Sequence, residues 1–304
     1  MKTLKGILIT IVFFIYAVNT VKAQGCSDAG FCTINSLKPN NIETAEEPKN
    51  QLKFGSTFGK ADKAISIFAS YLEFNRQISK KFELDTKITM LAQNGNGISV
   101  SALADIYLNA NYTIGSKTKL TVGTKIPFTD GNKTKNNLAL PMDYQSSLGS
   151  VDLILGLGHQ IENWQFVLAL QQPLTQNKNQ FLAEDYPLSS VLSKFQSTKN
   201  FKRSGDVLLR ISYLIKLKNK LTITPGILPI YHLSNDKYTN NLGIEKAILG
   251  SQGLTLNANI YFDYRLTKNS SLQLNFGAPF LTRNSRPDGL TRSFVTNIEY
   301  RINF

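Results

Sequence analysis

Residues 254–266 read Leu254-Thr255-Leu256-Asn257-Ala258-Asn259-Ile260-Tyr261-Phe262-Asp263-Tyr264-Arg265-Leu266. Even positions carry Leu254, Leu256, Ala258, Ile260, Phe262, Tyr264 and Leu266, while odd positions carry Thr255, Asn257, Asn259, Tyr261, Asp263 and Arg265. Successive side chains of a strand point to opposite faces, so this run has one apolar face and one polar face. The first belongs in lipid and the second in water.

The pattern repeats in Leu272, Leu274, Phe276, Ala278 and Phe280 against Ser271, Gln273, Asn275 and Gly277. It recurs in Phe294, Thr296, Ile298, Tyr300, Ile302 and Phe304 against Val295, Asn297, Glu299, Arg301 and Asn303. A soluble sandwich also alternates, and the connections separate the two cases. Short links at Ser79-Lys80-Lys81, Gly115-Ser116-Lys117, Glu162-Asn163, Lys218-Asn219 and Thr267-Lys268-Asn269-Ser270 alternate with long ones near 129–147, 173–204, 233–253 and 281–291. Short turns on one side and long loops on the other are the asymmetry of bacterial outer-membrane barrels. The expected fold is therefore all-β, a closed antiparallel transmembrane barrel over residues 51–304. Its strands fall near 51–58, 64–78, 82–92, 99–114, 118–128, 148–161, 164–172, 205–217, 220–233, 254–266, 271–280 and 291–304. An even number, about twelve, returns the C-terminus to the periplasm, and the outward Tyr300, Ile302 and Phe304 resemble the terminal assembly signal of such proteins.

The first residues support export. Lys2 and Lys5 precede an apolar run over residues 7–17 and then Val21-Lys22-Ala23, the three-part pattern of a secretory signal spanning residues 1–23. The uncharged run is shorter than the roughly 20 residues a membrane helix needs. Residues 24–50 form an N-terminal tether or an inserted plug. Cys26 and Cys32 lie within it, and a small disulfide-closed loop is the expected pairing in an oxidising compartment. No metal is expected there, because His159 and His232 are distant in sequence.

Mean hydropathy is −0.15 and hydrophobic content 42%, values that hide the strand alternation by averaging its two faces. The formal charge is +13, and Lys2, Lys5 and Lys22 account for three of it, which leaves about +10 beyond the signal. Much of the excess lies in the short turns. No basic helix or aromatic–basic cluster suggests nucleic acid, so lipid headgroups are the expected partner, with other outer-membrane or periplasmic proteins as further candidates.

Inward positions include Glu83, Asp85, Lys87, Asp105, Lys119, Lys125, Asp152, Arg210, Asp263, Arg265, Glu299 and Arg301. Charges of both signs should pair between neighbouring strands, since a lone buried ion is costly. They form either a permeation path or a salt-bridged filling. Pro127, Pro225, Pro229 and Pro279 lie in strand-like segments and imply bulges or local breaks, or a side opening at Pro225-Gly226-Ile227-Leu228-Pro229. Pro187 followed by Leu188, Val191, Leu192 and Phe195 has the spacing of a short amphipathic helix.

These features together, the signal, the cysteine-bearing segment, about a dozen strands and Phe304, resemble the fatty-acid-channel-like and aromatic-degradation-pathway barrels of Bacteroidetes-type outer membranes. The resemblance implies passive uptake of small solutes, apolar ones among them, through a lumen plugged by the N-terminal segment, with no cofactor. A second, local resemblance is to outer-membrane lipid A deacylases and phospholipase A, carried by His232-Leu233-Ser234-Asn235 and Asn241-Leu242-Gly243-Ile244-Glu245. It implies an acyl hydrolase with Ser234 as nucleophile, His232 as base and Glu245 as orienting carboxylate. Its spacing from Ser234 to Glu245 is one residue short, and the strand register turns His232 and Ser234 inward unless a bulge intervenes. A third reading is a non-catalytic subunit of an outer-membrane assembly.

Overall fold

The computed structural model describes residues 34–39, 50–217, 220–289 and 293–304. The expected signal peptide, the Cys26–Cys32 pair and most of the tether lie outside the described residues.

The wall is one antiparallel sheet. Its strands are β1 (Asn50–Lys60), β2 (Ser66–Gln77), β3 (Phe82–Gly95), β4 (Ile98–Ile114), β5 (Thr118–Pro127) and β6 (Asp152–Ile161). They continue as β7 (Trp164–Pro173), β8 (Asp206–Tyr213 and, beyond Leu214, Ile215–Leu217), β9 (Leu221–His232), β10 (Gly253–Arg265), β11 (Ser270–Leu281) and β12 (Phe294–Asn303). Each strand pairs with its neighbours in sequence, and β12 pairs with β1 to close a twelve-stranded barrel. Closure removes the sheet edges that would otherwise expose unpaired backbone groups.

The alternation read from residues 254–266 is the one observed. Thr255, Asn257, Tyr261 and Asp263 are buried in the interior, while Leu254 and Tyr264 are exposed on the outside. Other outward positions carry Phe54, Phe58, Phe68, Leu72, Leu103 and Leu168, all exposed. An apolar surface of this extent around a closed barrel with a polar interior is the lipid-facing side of an outer-membrane-type barrel. Ile260→Arg should therefore impair assembly by about 2–4 kcal/mol, whereas Asn259→Arg, pointing inward, should cost less. Yields of folded protein from vesicles would check this, and equal tolerance at both positions would overturn the register.

Two local devices adjust the ladder. Asn96-Gly97, with φ of 54° and 71°, closes a two-residue hairpin between β3 and β4, so both strands run further than the apolar pattern suggests. In β4 the pairing shifts between Ile88↔Ile106 and Met90↔Leu103, and both Ala104 and Asp105 are buried. This bulge switches the inward positions of β4 from even to odd numbers.

The prolines fall where the ladder tolerates them. Pro127 ends β5, and Pro279 sits at the register shift of β10 and β11. Pro225 and Pro229 leave the β9–β10 register continuous. Pairing of β9 with β8 lapses opposite both of them, where a proline has no N–H to donate.

Long connections fold over one mouth. Leu140, Tyr144, Phe181, Leu192 and Phe195 pack on Ile67, Leu91 and Val100 at the strand ends, and Met142, Leu148, Phe201 and Ile248 form a second cluster. The helix expected after Pro187 is only a 3-10 turn, Val191–Lys194, capped by Ser190 Oγ accepting from the Leu192 amide at 3.2 Å. Leu192 and Phe195 are buried as that spacing requires, but four residues are too few to continue an α-helix, and Leu188 stays exposed.

Candidate functional site

The lumen carries the charged side chains that alternation assigned to it. Asp85, Lys87, Asp105, Lys125, Asp152, Arg210, Asp263, Glu299 and Arg301 are buried, while Glu83, Lys119 and Arg265 are half-buried towards the short-turn end. Lys125 Nζ lies 3.1 Å from Asp152 and 4.0 Å from Asp105. Ser150 and Ser147 donate to those carboxylates at 2.6 Å each. Arg301 joins Glu299 at 2.5 Å and Asp263 at 3.2 Å, and Lys119 meets Glu83 at 2.9 Å. Asn111 donates to Asp85 at 2.6 Å, and Lys87 Nζ stands 4.0 Å from the centre of the Tyr71 ring. Buried ions that share partners in this way avoid most of the desolvation cost of an isolated charge.

A separate piece of chain occupies the interior. Residues 34–39 include a 3-10 turn, Asn35–Leu37, and Ile34 and Leu37 pack on Tyr107, Ile154, Val167, Ala169, Leu208 and Leu228. Gly156 makes this seat: a Cβ added there would stand 2.7 Å from Leu37 Cδ2. The segment is held by polar contacts from across the wall. Arg210 donates to the Leu37 carbonyl, Lys53 to Asn35 Oδ1, and Lys38 pairs with Glu299 at 2.7 Å. Beside it lies a cavity of about 230 Å³, lined by Asn35, Ser36, Lys38, Lys119, Gln160 and Gln165 among others.

The opposite mouth is tied by a second charged group. His232, at the inner face of the end of β9, is buried with Nδ1 2.7 Å from Asp206 and Nε2 2.8 Å from Asp236. Asp206 also pairs with Arg203; Asp288 lies 2.9 Å from Arg283 and 3.8 Å from Arg203. Arg283 donates to the Ser251 carbonyl at 2.8 Å, and Ser251 Oγ accepts from the Asp236 amide at 2.8 Å. The group thus joins the loops after β7, β9 and β11. Burial by itself would raise the Asp288 carboxyl, but Arg283 and Arg203 outweigh it and hold that group well below the usual carboxylate range.

The acyl-hydrolase residues do not come together. Both imidazole nitrogens of His232 face aspartates, Ser234 Oγ bonds to Ser204 Oγ at 2.9 Å, and exposed Glu245 pairs with Lys202 and Lys237. Hydrogen bonds from those two lysines hold Glu245 at about 2. A base needs a free nitrogen towards its nucleophile, and here both ring nitrogens of His232 are taken by carboxylates. The local sequence resemblance failed because β9 continues without a bulge to His232, leaving His232 inward and Ser234 in the exposed loop.

Alternation could have added Lys53 and Glu73, buried partners at 2.9 Å, because both occupy inward odd positions of β1 and β2. Nothing local marks Arg203, Asp236, Arg283 or Asp288, which lie in loops without a period. Among the described residues no cluster of three or more His, Cys, Asp or Glu side chains has the arrangement of a metal site.

No family model matches the chain, and no curated protein matches its sequence. Solved barrels are similar in outline. The KdgM porin aligns over 84% of this chain and 99% of its own, at 10% identity and a TM-score of 0.44. The CymD monoaromatic hydrocarbon channel aligns over 92% and 97% at 8% identity and 0.44. A FadL homologue of Pseudomonas aeruginosa aligns over 93% and 99% at 8% identity and 0.43.

Proposed function

We propose that the chain is a bacterial outer-membrane channel for small solutes, closed at one mouth by its long loops and at the other by residues 34–39. The observation that carries this reading is the occupant of the lumen. A barrel filled for stability alone packs its interior with side chains from its own strands. Here a separate segment is seated on a glycine notch and held by a few side chains, with a cavity of about 230 Å³ beside it. The side-chain amide of Asn109 and the Oδ1 atoms of Asn257 and Asn275 have no hydrogen-bond partner among the described residues. Buried polar atoms of that kind are satisfied by water, which favours a wetted path. The apolar patch that receives Leu37 favours solutes with an apolar portion.

Liposome swelling tests the proposal. The full chain should admit small sugars and small apolar solutes slowly. A variant lacking residues 34–39 should swell faster, and one that also carries Asp288→Leu to loosen the loops should approach an open-pore rate. If all three fold and none passes a solute, the channel reading falls and a subunit role in an outer-membrane assembly takes its place.

A further inference from the structure

We propose that the short-turn end of the barrel is a binding surface for negatively charged phospholipid headgroups in the leaflet beside it. This rests on the membrane-barrel reading, but not on whether the lumen conducts. The antiparallel topology brings the turns after β2, β4, β6, β8 and β10 to one end. Exposed around that end are Arg76, Lys80, Lys81, Lys117, Lys220 and Lys268. Among the described residues of these turns, Glu162 is the one acidic side chain. Acidic groups near this end point inward: Glu73, Asp263 and Glu299 are buried and half-buried Glu83 is paired with Lys119 at 2.9 Å, so they do not neutralise the rim.

A second, independent pattern sets the depth of the rim. Of the outward-facing tyrosines and tryptophan of the strands, Tyr112, Trp164, Tyr213, Tyr264 and Tyr300 lie near the short-turn end and Tyr231 alone among the described residues lies at the long-loop end; Trp164 stacks edge-on against Tyr213 at 4.8 Å. Such amphipathic rings settle at the level of the headgroups. Tyr112 and Tyr264 precede Lys117 and Lys268 by a few residues, and each strand residue advances about 3.3 Å. The turn lysines therefore project to the phosphate layer, where a lysine gains from negative surface potential. The long-loop end lacks this one-sidedness, since Asp130, Glu184, Asp185 and Glu245 are exposed among its lysines.

A zwitterionic headgroup offers no net charge, whereas phosphatidylglycerol does, so the surface should select the latter. The full chain, reconstituted in mixed phosphatidylcholine–phosphatidylglycerol vesicles, can be titrated with spin-labelled forms of each lipid. Wild type should prefer the phosphatidylglycerol label, less so at high salt. Lys80→Gln, Lys117→Gln and Lys268→Gln together should remove most of that preference, each lowering it by up to about fivefold. The same three changes at Lys135, Lys178 and Lys199 in the long loops should leave it intact. A folding readout, the slower migration of the protein after heating, separates failure of insertion from failure of selection. Equal association of both labels with inserted wild type, or a preference that survives the turn substitutions, would overturn the proposal. Capture of a soluble acidic protein by the rim without lipid selection would overturn it too.

Discussion

Lys125→Met should lower the unfolding free energy of the barrel by about 3–5 kcal/mol, the usual cost of removing one partner from a buried ion pair. Lys125 is fully buried on β5 and stands 3.1 Å from Asp152 and 4.0 Å from Asp105, both also buried. Methionine replaces the aliphatic stem of the side chain with one heavy atom fewer, so packing changes little, but two carboxylates lose the cation between them. Ser150, Gln171 and Ser147 still donate to them, which moderates the loss without supplying charge. Adding Asp152→Asn and Asp105→Asn to the methionine variant should restore much of the stability, because the repulsion then disappears. Urea unfolding of the detergent-solubilised barrel would measure both steps. A single variant as stable as wild type would mean that solvent reaches this triad freely.

The second large effect is expected at the looped mouth. Asp288→Leu should destabilise the closed arrangement of the loops by about 3 kcal/mol, because Arg283 stays buried without its carboxylate and Arg203 loses one of its acidic neighbours. The strands below should hold, since their ladders do not involve this residue. Trypsin should then cut at Lys178, Lys194 or Lys199 in the variant while the wall stays resistant, and equal cleavage of both proteins would count against the latch. The pH dependence has a definite sign. A carboxyl depressed on folding contributes its full stability above the unfolded value, near 3.9, and loses it as pH falls through the folded value. Asp288 is depressed, so the latch should persist through mildly acidic media and weaken only in strong acid.

Much of the fold was legible because alternation is a local property of the strand backbone. Residues 254–266, 271–280 and 294–304 each declare two faces without reference to any other part of the chain, and the observed burial follows them. The strand ends were less legible. The hairpin at Asn96-Gly97 carries β3 and β4 beyond their apolar pattern, and the helix expected after Pro187 shrank to one turn once Leu192 and Phe195 were claimed by the loop cluster. In the candidate site, twelve charged positions were readable as inward, but their partners were not. His232 was readable only as a histidine at a strand end, and its neighbours made it part of a latch rather than a base.

By itself, then, the amino-acid sequence determined which side chains meet lipid and which meet the lumen, how many strands form the wall and which end bears the long loops. Period, turn residues and loop length are all written in neighbouring positions. The tertiary structure decided the switch of parity at Ala104 and Asp105, the pairing of interior charges, the latch across three loops and the seating of residues 34–39. Each depends on groups that folding brings together from different strands or loops, the longest span by closure: Lys38 and Glu299, 261 positions apart, meet because β12 folds back on β1. A charge has no address in the sequence for its partner, and the geometry of the closed barrel supplies one.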